Sequence, residues 1–529
     1  MPKAFIDGRI YVRYRPLEIA EAILVDDDGR VMAVGGRDDV LGLARSVGAE
    51  VFSLGGGTVL PGFVDAHMHL DSLGILLSTV DLRGCRSIGE LVERTARAVE
   101  STPFAKWVIG HGWDQDLFVE KRWPTRHDID LLTTEKAVLL ARICMHAAVL
   151  NTRAIRETGL WESAVPGVER DANGEPTGVV KGEAFSLAWR VFENSLTTEE
   201  LENIVERAVD YALSQGVTTL GFVSCNQRTL RSMSNLERRG ALKARIRVYI
   251  SARDYYEKRD EVLNILKEHG SSKNKLRVKG VKELGDGSLG ARTAWLSAPY
   301  ADDSSTSGTS YVSDSWLREI AALAEEDGLQ LAIHGIGDKA VETILRLYSQ
   351  LPKRMLLRHR IEHASVLRED LIKEIASLKT PLVVQPRFVI SDWWIIERLG
   401  VERAKYAYPF KTLVERGVPI ALSTDAPIEP LNPWETVYAA VTRGWLDEIP
   451  LSRLTPGEKL SLEEALYYYT AGSSYAMGEE EHVGMLEKGY YADFIVVDRD
   501  PFATPPRDLR NIKVLATYVG GEKVFETGD

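Results

Sequence analysis

Residues 60–70 read Leu60-Pro-Gly-Phe-Val-Asp-Ala-His-Met-His-Leu70, an apolar, strand-like run that ends in two histidines. Successive side chains of a β-strand point to opposite faces, so His67 and His69 project from the same side. Two imidazoles on one face, just beyond a buried strand, are well placed to bind one metal ion. In an isolated His-x-His pair, one histidine could equally pack in the core while the other caps a turn. The rest of the chain favours a metal site, because it supplies further ligands.

The composition limits the class of protein. The chain has 529 residues, 44% of them apolar and 27% charged, which is enough for a large folded core. A formal net charge of −12 argues against nucleic acid or an anionic membrane as the partner. Three widely separated cysteines exclude a disulfide framework and a thiolate zinc site, and the N-terminus has no apolar signal core. The sequence therefore predicts a cytoplasmic protein with a small-molecule partner, no nucleic acid and no membrane.

Strand-like and amphipathic helical runs alternate through the middle of the chain. Eight strands are expected, at 59–64, 217–223, 246–252, 278–284, 330–333, 359–362, 381–384 and 418–422. Helical patterns are expected at 199–214, 316–327, 339–349, 369–378 and 409–416. Eight β-units with intervening helices predict an α/β fold, a (β/α)8 TIM-type barrel, with a doubly wound open sheet as the main alternative.

Two further parts of the chain are expected around the barrel. Residues 1–59 and 480–529 read as short strands, so we expect both termini to pair into a small β-sandwich-like domain flanking a barrel over 60–479. Roughly 150 residues separate the first two barrel strands, far more than a normal βα loop. This predicts an inserted subdomain at about 75–198, placed as a lid over the end of the barrel where substrates bind.

Ionisable side chains stand at the carboxyl ends of several predicted strands, which meet at the mouth of a barrel. In chain order they are His67, His69, Lys282, His334, His363 and Asp425. Burying four imidazoles, a carboxylate and a lysine side by side costs free energy unless an ion compensates them. Two divalent cations would do so. Beside cations the pKa of Lys282 falls, and its neutral amine can take up carbon dioxide to become an anionic, metal-bridging carbamate.

Six motifs together resemble the amidohydrolase superfamily of metal-dependent hydrolases, in its family 3 branch. They are LPGFVDAHMHL at 60–70, GVKELGDGSLGARTA at 280–294, IHGIGDKAV at 333–341, RIEHA at 360–364, LSTDAPIEP at 422–430 and GYYADFIVVDRDP at 489–501. They follow the family's order and cover nearly the whole chain. The resemblance implies a barrel with a small β-domain built from both termini, in agreement with the strand pattern.

The resemblance also implies roles for the six mouth residues. His67 and His69 would bind one metal, His334 and His363 the second, and Lys282 would bridge them as a carbamate. Asp425 would contact a metal and act as the catalytic proton carrier. The implied cofactor is one or two divalent ions, with zinc favoured and iron, manganese or cobalt left open.

The implied reaction is hydrolysis of an amide-like carbon–nitrogen bond by a metal-activated hydroxide. A mononuclear deaminase-like enzyme, an esterase and a non-catalytic metal-binding relative stay as alternatives, and a homodimer is left open as the assembly.

Four more residues are candidate substrate contacts: His111, Trp113 and His146 in the inserted segment, and Arg292 after the fourth strand. Each could equally have an ordinary structural role. Residues 285–290 match a dinucleotide-binding Gly-x-Gly-x-x-Gly pattern, but the residues that follow do not form a long amphipathic helix, which argues against nucleotide binding. His359, four residues before His363, is expected to be structural.

Overall fold

The computed structural model describes residues 1–133, 135–271 and 273–528. The chain folds into two compact units, Met1–Leu70 with Val209–Asp529, and Asp71–Ala208. The described residues contain no helix long and apolar enough to cross a membrane.

Eight parallel strands form a nearly closed barrel in the first unit. They are β1 (Phe63–Met68), β2 (Val217–Cys225), β3 (Arg245–Ser251), β4 (Leu276–Leu284), β5 (Gln330–Gly335), β6 (Arg360–His363), β7 (Leu382–Val384) and β8 (Ile420–Leu422). Just beyond β8, the backbone N of Asp425 donates to the carbonyl of His67 over 2.9 Å, and His69 N donates to the carbonyl of Ala426 over 2.7 Å. These bonds join the last strand to the first, and the predicted barrel is confirmed.

Small and β-branched side chains fill part of the barrel core. Six of the strands contribute to one buried cluster, through Val64, Ala66, Val223, Tyr249, Ala332, Val383 and Ala421. Parallel strands are buried on both faces, which is why they read in the sequence as continuous apolar runs without alternation. The apolar runs are thus a direct consequence of the barrel.

Helices follow the strands. The helices of this unit include Gln227–Arg238, Ala252–Glu257, Arg259–Glu268, Asp314–Glu326, Asp338–Tyr348, Glu369–Leu378, Phe410–Glu415, Pro433–Thr442, Leu462–Tyr468 and Ala471–Ala476. Shorter helices lie at Arg354–Leu357, Phe388–Ser391, Ile395–Leu399, Val401–Ala404 and Pro450–Leu454, and Arg37–Ser46 packs in the N-terminal part of the unit. A longer helix, Thr198–Ser214, precedes β2. Side chains cap several of them: the hydroxyl of Ser313, for example, accepts from the backbone N of Trp316. Each of the five predicted helices is present, with ends within two residues of the prediction.

The first predicted strand, 59–64, was wrong as a single element. The chain changes sheet at Gly62, where Thr58–Pro61 ends and β1 begins. Gly62 N donates to the carbonyl of Asp493 over 2.9 Å, whereas the next amide, of Phe63, donates to Gly216 over 3.0 Å. Apolar residues continue through the switch, so the hydrophobic pattern does not reveal it.

Two smaller sheets belong to the same unit. A four-stranded sheet has the order Val31–Gly35, Ala22–Val25, Lys3–Ile6, Glu50–Ser53. A six-stranded sheet combines both ends of the chain, in the order Glu522–Glu526, Val514–Val519, Phe494–Val497, Thr58–Pro61, Arg9–Tyr14, Leu17–Ala20. Both sheets lie in one compact unit with the barrel, so a separate β-domain with boundaries at 59 and 480 stays a prediction.

The second unit has its own six-stranded sheet. The strand order is Val168–Arg170, Pro176–Lys181, Ala147–Leu150, Ala137–Arg142, Trp107–Trp113, Val80–Asp81. Its helices are Leu70–Leu77, Ile88–Val99, Arg126–Ile129, Thr152–Glu157 and Glu183–Ser195. This unit spans the predicted insertion, and its role as a lid stays a prediction.

Candidate metal centre

Three predicted ligands converge where β8 meets β1. Nε2 of His67 and Nε2 of His69 each lie 3.2 Å from Oδ1 of Asp425. The candidate ligand atoms of the three residues all lie within 4.8 Å of one another. His67 is fully buried and Asp425 nearly so, while the side chain of His69 keeps about a quarter of its surface exposed. The arrangement brings two imidazoles and a carboxylate to one point.

The atoms that face this point fit a divalent cation. Nε2 of His67 and Oδ1 of Asp425 are buried, and neither forms a hydrogen bond of normal geometry with the described residues. Leaving a buried imidazole nitrogen and a buried carboxylate oxygen unsatisfied costs free energy. A metal ion between them would satisfy both, and nitrogen with carboxylate oxygen is a ligand set that zinc and similar ions accept.

Two more predicted histidines stand beside the first group. The ring of His363 lies 4.9 Å from the ring of His67 and 4.4 Å from the ring of His334, measured between centroids. Nδ1 of His363 lies 2.7 Å from Oε1 of Gln385, and Nε2 of His334 lies 3.1 Å from the carbonyl of Gly287. Gly287 belongs to the glycine-rich loop after β4, which therefore lies beside the histidine cluster.

Lys282 projects from β4 and is 3% exposed. Burial lowers the pKa of its amine, although the charges of Glu362 and Asp425 act in the opposite direction. A lowered pKa increases the share of neutral amine, which is the form that can react with carbon dioxide. The environment is therefore compatible with the carbamate that the family resemblance implies.

Asp425 is ionised in this environment. Burial opposes the charge, but His67 and His69 beside the carboxylate lower its pKa well below the usual value. Its backbone has a φ of 61°, a left-handed conformation that aspartate and asparagine tolerate better than most residues. The sharp turn after β8 thus brings the carboxylate onto the histidines of β1.

Sequence reasoning missed three buried polar groups that support the ligands. Glu362 accepts from Nδ1 of His67 at 2.5 Å, and Gln385 holds His363 as described above. Asp65 accepts from the hydroxyls of Thr424, at 2.7 Å, and Tyr469, at 2.9 Å, and burial raises its pKa to about 6. For Asp65 and Glu362 the available signal was a polar residue inside an otherwise apolar strand run, two positions or fewer from a predicted ligand. Gln385 directly follows the apolar run of β7.

The four candidate substrate contacts do not share one environment. In the second unit, Nδ1 of His111 lies 2.9 Å from Oγ1 of Thr79, and the exposed His146 bonds the carbonyl of Cys144. Trp113 has no exposed surface and donates to the carbonyl of Leu140 within that unit's core, which favours packing over substrate contact. In the first unit, Arg292 forms an ion pair with Asp302 at 2.8 Å. A substrate role for these four residues stays a prediction.

His359 is buried, as a structural role requires. Its Nδ1 accepts from the backbone N of Leu331 over 3.0 Å, and its Nε2 lies 3.4 Å from Oε1 of Glu325. It faces these partners and not the metal-facing histidines, which agrees with the predicted structural role.

The chain belongs to the amidohydrolase family, whose model matches residues 50–525. It is 31% identical to the Bacillus subtilis protein YtcJ, which carries an amidohydrolase name, over 98% of both chains. It is 26% identical to an N-substituted formamide deformylase from Arthrobacter pascens, over 96% of this chain and 95% of that protein. The crystal structure of an uncharacterized metal-dependent hydrolase from Pyrococcus horikoshii superposes with a TM-score of 0.84 at 37% identity, covering 96% of this chain and 99% of that one. The predicted family and the predicted class, a metal-dependent hydrolase of carbon–nitrogen bonds, are confirmed.

Proposed function

We propose that this enzyme hydrolyses the carbon–nitrogen bond of a small amide. The observation that carries the proposal is the convergence of His67, His69 and Asp425, in which a buried nitrogen and a buried oxygen form no hydrogen bond with any described residue. Membership of the amidohydrolase family supports the reaction class.

The proposal includes two divalent cations, with zinc as the preferred metal. His67, His69 and Asp425 would hold the first, and His334 with His363 the second. Lys282, as a carbamate, would lie between them. The contact between the rings of His334 and His363, and the lowered pKa of the buried lysine, support this arrangement.

A divalent cation held there supplies Lewis acidity toward a carbonyl and lowers the pKa of water toward neutrality. The carboxylate of Asp425 takes a proton from the attacking water as the new carbon–oxygen bond forms. It then returns that proton to the leaving nitrogen as the carbon–nitrogen bond breaks. The carboxylate is ionised at neutral pH, as the first step requires. His67 and His69 keep the carboxylate oriented.

The substrate class we propose is N-substituted formamides and related small N-acyl amines. The relative from Arthrobacter pascens is named for deformylation of N-substituted formamides, and its match extends over 96% of this chain. Cyclic amides and carbamates could be cleaved by the same chemistry, so we include them among the compounds to be assayed.

The test is an assay of amine release from such a panel, with metal content measured on the same preparations. We expect the Asp425→Asn variant to lose cleavage, and Glu481→Gln, an exposed carboxylate at the other end of the barrel strands, to keep it. Absence of cleavage across the whole panel by metal-loaded protein would contradict the proposed substrate class. One ion per chain, unaffected by Lys282→Ala, would favour the mononuclear alternative.

A further inference from the structure

Three of the four histidines that would face the metals direct a ring nitrogen toward an oxygen acceptor. His67 faces a carboxylate and His363 faces a side-chain amide. His334 faces a backbone carbonyl at 3.1 Å, and the Asp286 carboxylate lies 3.4 Å from the same nitrogen. An acceptor of this kind fixes which nitrogen carries the proton and raises the basicity of the other nitrogen. Because a carboxylate does this more strongly than a neutral oxygen, the chemical type of the acceptor matters.

Glu362 is a fully buried carboxylate that lies between His67 and Arg360. Its Oε2 lies 2.5 Å from Nδ1 of His67, and its Oε1 lies 2.7 Å from Nε of Arg360. Arg360 also donates to the carbonyl of Ala66 over 3.0 Å and stacks on the ring of Tyr249, with 3.9 Å between its central carbon and the ring centroid. A carboxylate can only accept here, so Nδ1 of His67 carries a proton and Nε2 is the ring nitrogen left to bind a metal.

Gln385 is held in one orientation. Its Nε2 donates to Oγ of Ser423 over 2.9 Å and to the carbonyl of Val383 over 3.3 Å, which leaves Oε1 facing His363. An amide oxygen only accepts, so Nδ1 of His363 is protonated and Nε2 is free to bind a metal. The support is neutral, in contrast to the carboxylate behind His67.

We infer that Glu362 and Gln385 are positioning residues that fix the two histidine tautomers and make the two metal positions unequal. Because the support of His67 is a carboxylate and the support of His363 is a neutral amide, the position at His67, His69 and Asp425 binds its ion more tightly than the position at His334 and His363. This inference rests on the two-cation arrangement of the proposed function and adds an order of affinity to it.

The test is a titration of the metal-stripped, full-length chain with zinc in competition with a chromogenic chelator, which resolves two dissociation constants. His334→Ala identifies the weaker constant by removing it. Glu362→Gln keeps the shape of the side chain but removes its charge, and we expect it to weaken only the tighter constant, by about 10–100-fold. Gln385→Glu adds a charge behind His363, and we expect it to strengthen only the weaker constant, by about tenfold.

Each variant serves as the control for the other, because a general loss of structure would change both constants. Equal effects of Glu362→Gln on both constants, or no effect of Gln385→Glu on the weaker one, would overturn the inference. If Glu362→Gln does not fold because Arg360 loses its partner, the Gln385→Glu result alone decides. A wild-type chain that binds a single ion overturns the two-cation proposal together with the inference, whereas two ions with equal constants overturn the inference alone.

Discussion

At the scale of single residues, Asp425 combines a constrained backbone with the proton-carrier role that we propose for it. Replacing it by asparagine keeps the side-chain shape and tolerates the φ of 61°. We expect Asp425→Asn to fold normally but to lower kcat by about 10²–10⁴, the usual contribution of a positioned proton carrier. The measurement is kcat on the best substrate, with thermal unfolding as the check of fold. Unchanged kcat in a metal-loaded variant would remove Asp425 from the mechanism.

His359 gives a pH-dependent stability. Burial lowers the pKa of this imidazole from 6.5 to about 4 in the folded chain. As the pH falls below 6.5, His359 becomes protonated in the unfolded chain, whereas in the folded chain it stays neutral down to about pH 4. The free energy of unfolding therefore decreases as the pH falls from 6.5 to 4. The loss is of the order of 3 kcal/mol at most.

Urea unfolding between pH 7 and pH 4 measures this loss. The matched variant is His359→Asn, because the asparagine side-chain oxygen can still accept the hydrogen bond from Leu331 N. We expect the wild type to lose more stability than the variant over that range. Parallel pH profiles for the two proteins would show that His359 does not titrate in this way.

The sequence predicted the side chains that converge at the candidate site but not the buried groups that support them. His67, His69 and Asp425 could be predicted because each stands at the end of an apolar strand run, which a barrel brings to one mouth. Glu362 and Gln385 could not, because their roles depend on which side chains meet across neighbouring strands. That pairing is set by strand register and by side-chain rotamers, which hydrophobic periodicity does not specify.

At the scale of secondary-structure elements, Gly62 is where the chain passes from one sheet to the barrel. A Cβ at this position would lie 2.3 Å from Oγ1 and 2.4 Å from Cγ2 of Thr218. We expect Gly62→Ala to destabilise the protein by about 1–3 kcal/mol through overpacking. Adding Thr218→Ala removes both clashing atoms and should restore part of the loss. Equilibrium unfolding of the four proteins of this double-mutant cycle measures the coupling, and strictly additive effects would contradict the steric explanation.

Most elements could be predicted because the strands of a parallel barrel are buried on both faces and therefore appear in the sequence as continuous apolar runs. The predicted run at 418–422, for example, contains the observed β8, Ile420–Leu422. The error at 59–64 has the opposite cause, since both sheets at that point are buried and the residues are apolar on either side of the switch. Only the direction of consecutive backbone amides distinguishes the two strands.

At the scale of the whole molecule, Glu479 connects the chain after the last barrel helix to the start of two barrel strands. This fully buried carboxylate lies 3.0 Å from Arg247, 2.7 Å from Arg277 and 3.1 Å from Lys279. Burial opposes its charge, but these three cations lower its pKa from 4.5 to about 2. Its contribution to stability is therefore present above pH 4.5 and is lost as the pH falls toward 2.

We expect Glu479→Gln to cost about 3–5 kcal/mol of unfolding free energy at pH 7, because the buried Arg247 is left without its partner. Denaturant unfolding measures this change. The exposed neighbour Glu481, changed to glutamine, is the control and should change stability by about 0.5 kcal/mol or less. Equal small effects of the two substitutions would mean that the buried pair contributes little.

The family and the barrel could be predicted for the whole chain because the six motifs are spread from residue 60 to residue 501. The sequence of the inserted segment says less about which of its residues contact the substrate. Its candidate contacts were chosen by residue type, and residue type alone does not distinguish a pocket tryptophan from Trp113, which is buried in that unit's core.

The number of divalent ions per chain tests the proposed metal site most directly, and elemental mass spectrometry on protein purified without chelators measures it. We expect about two ions in the wild type. When both His67 and His69 are changed to asparagine, we expect loss of the first ion with the fold retained. A wild-type chain without bound divalent ions, or an unchanged ion content in that double variant, would contradict the proposed metal site.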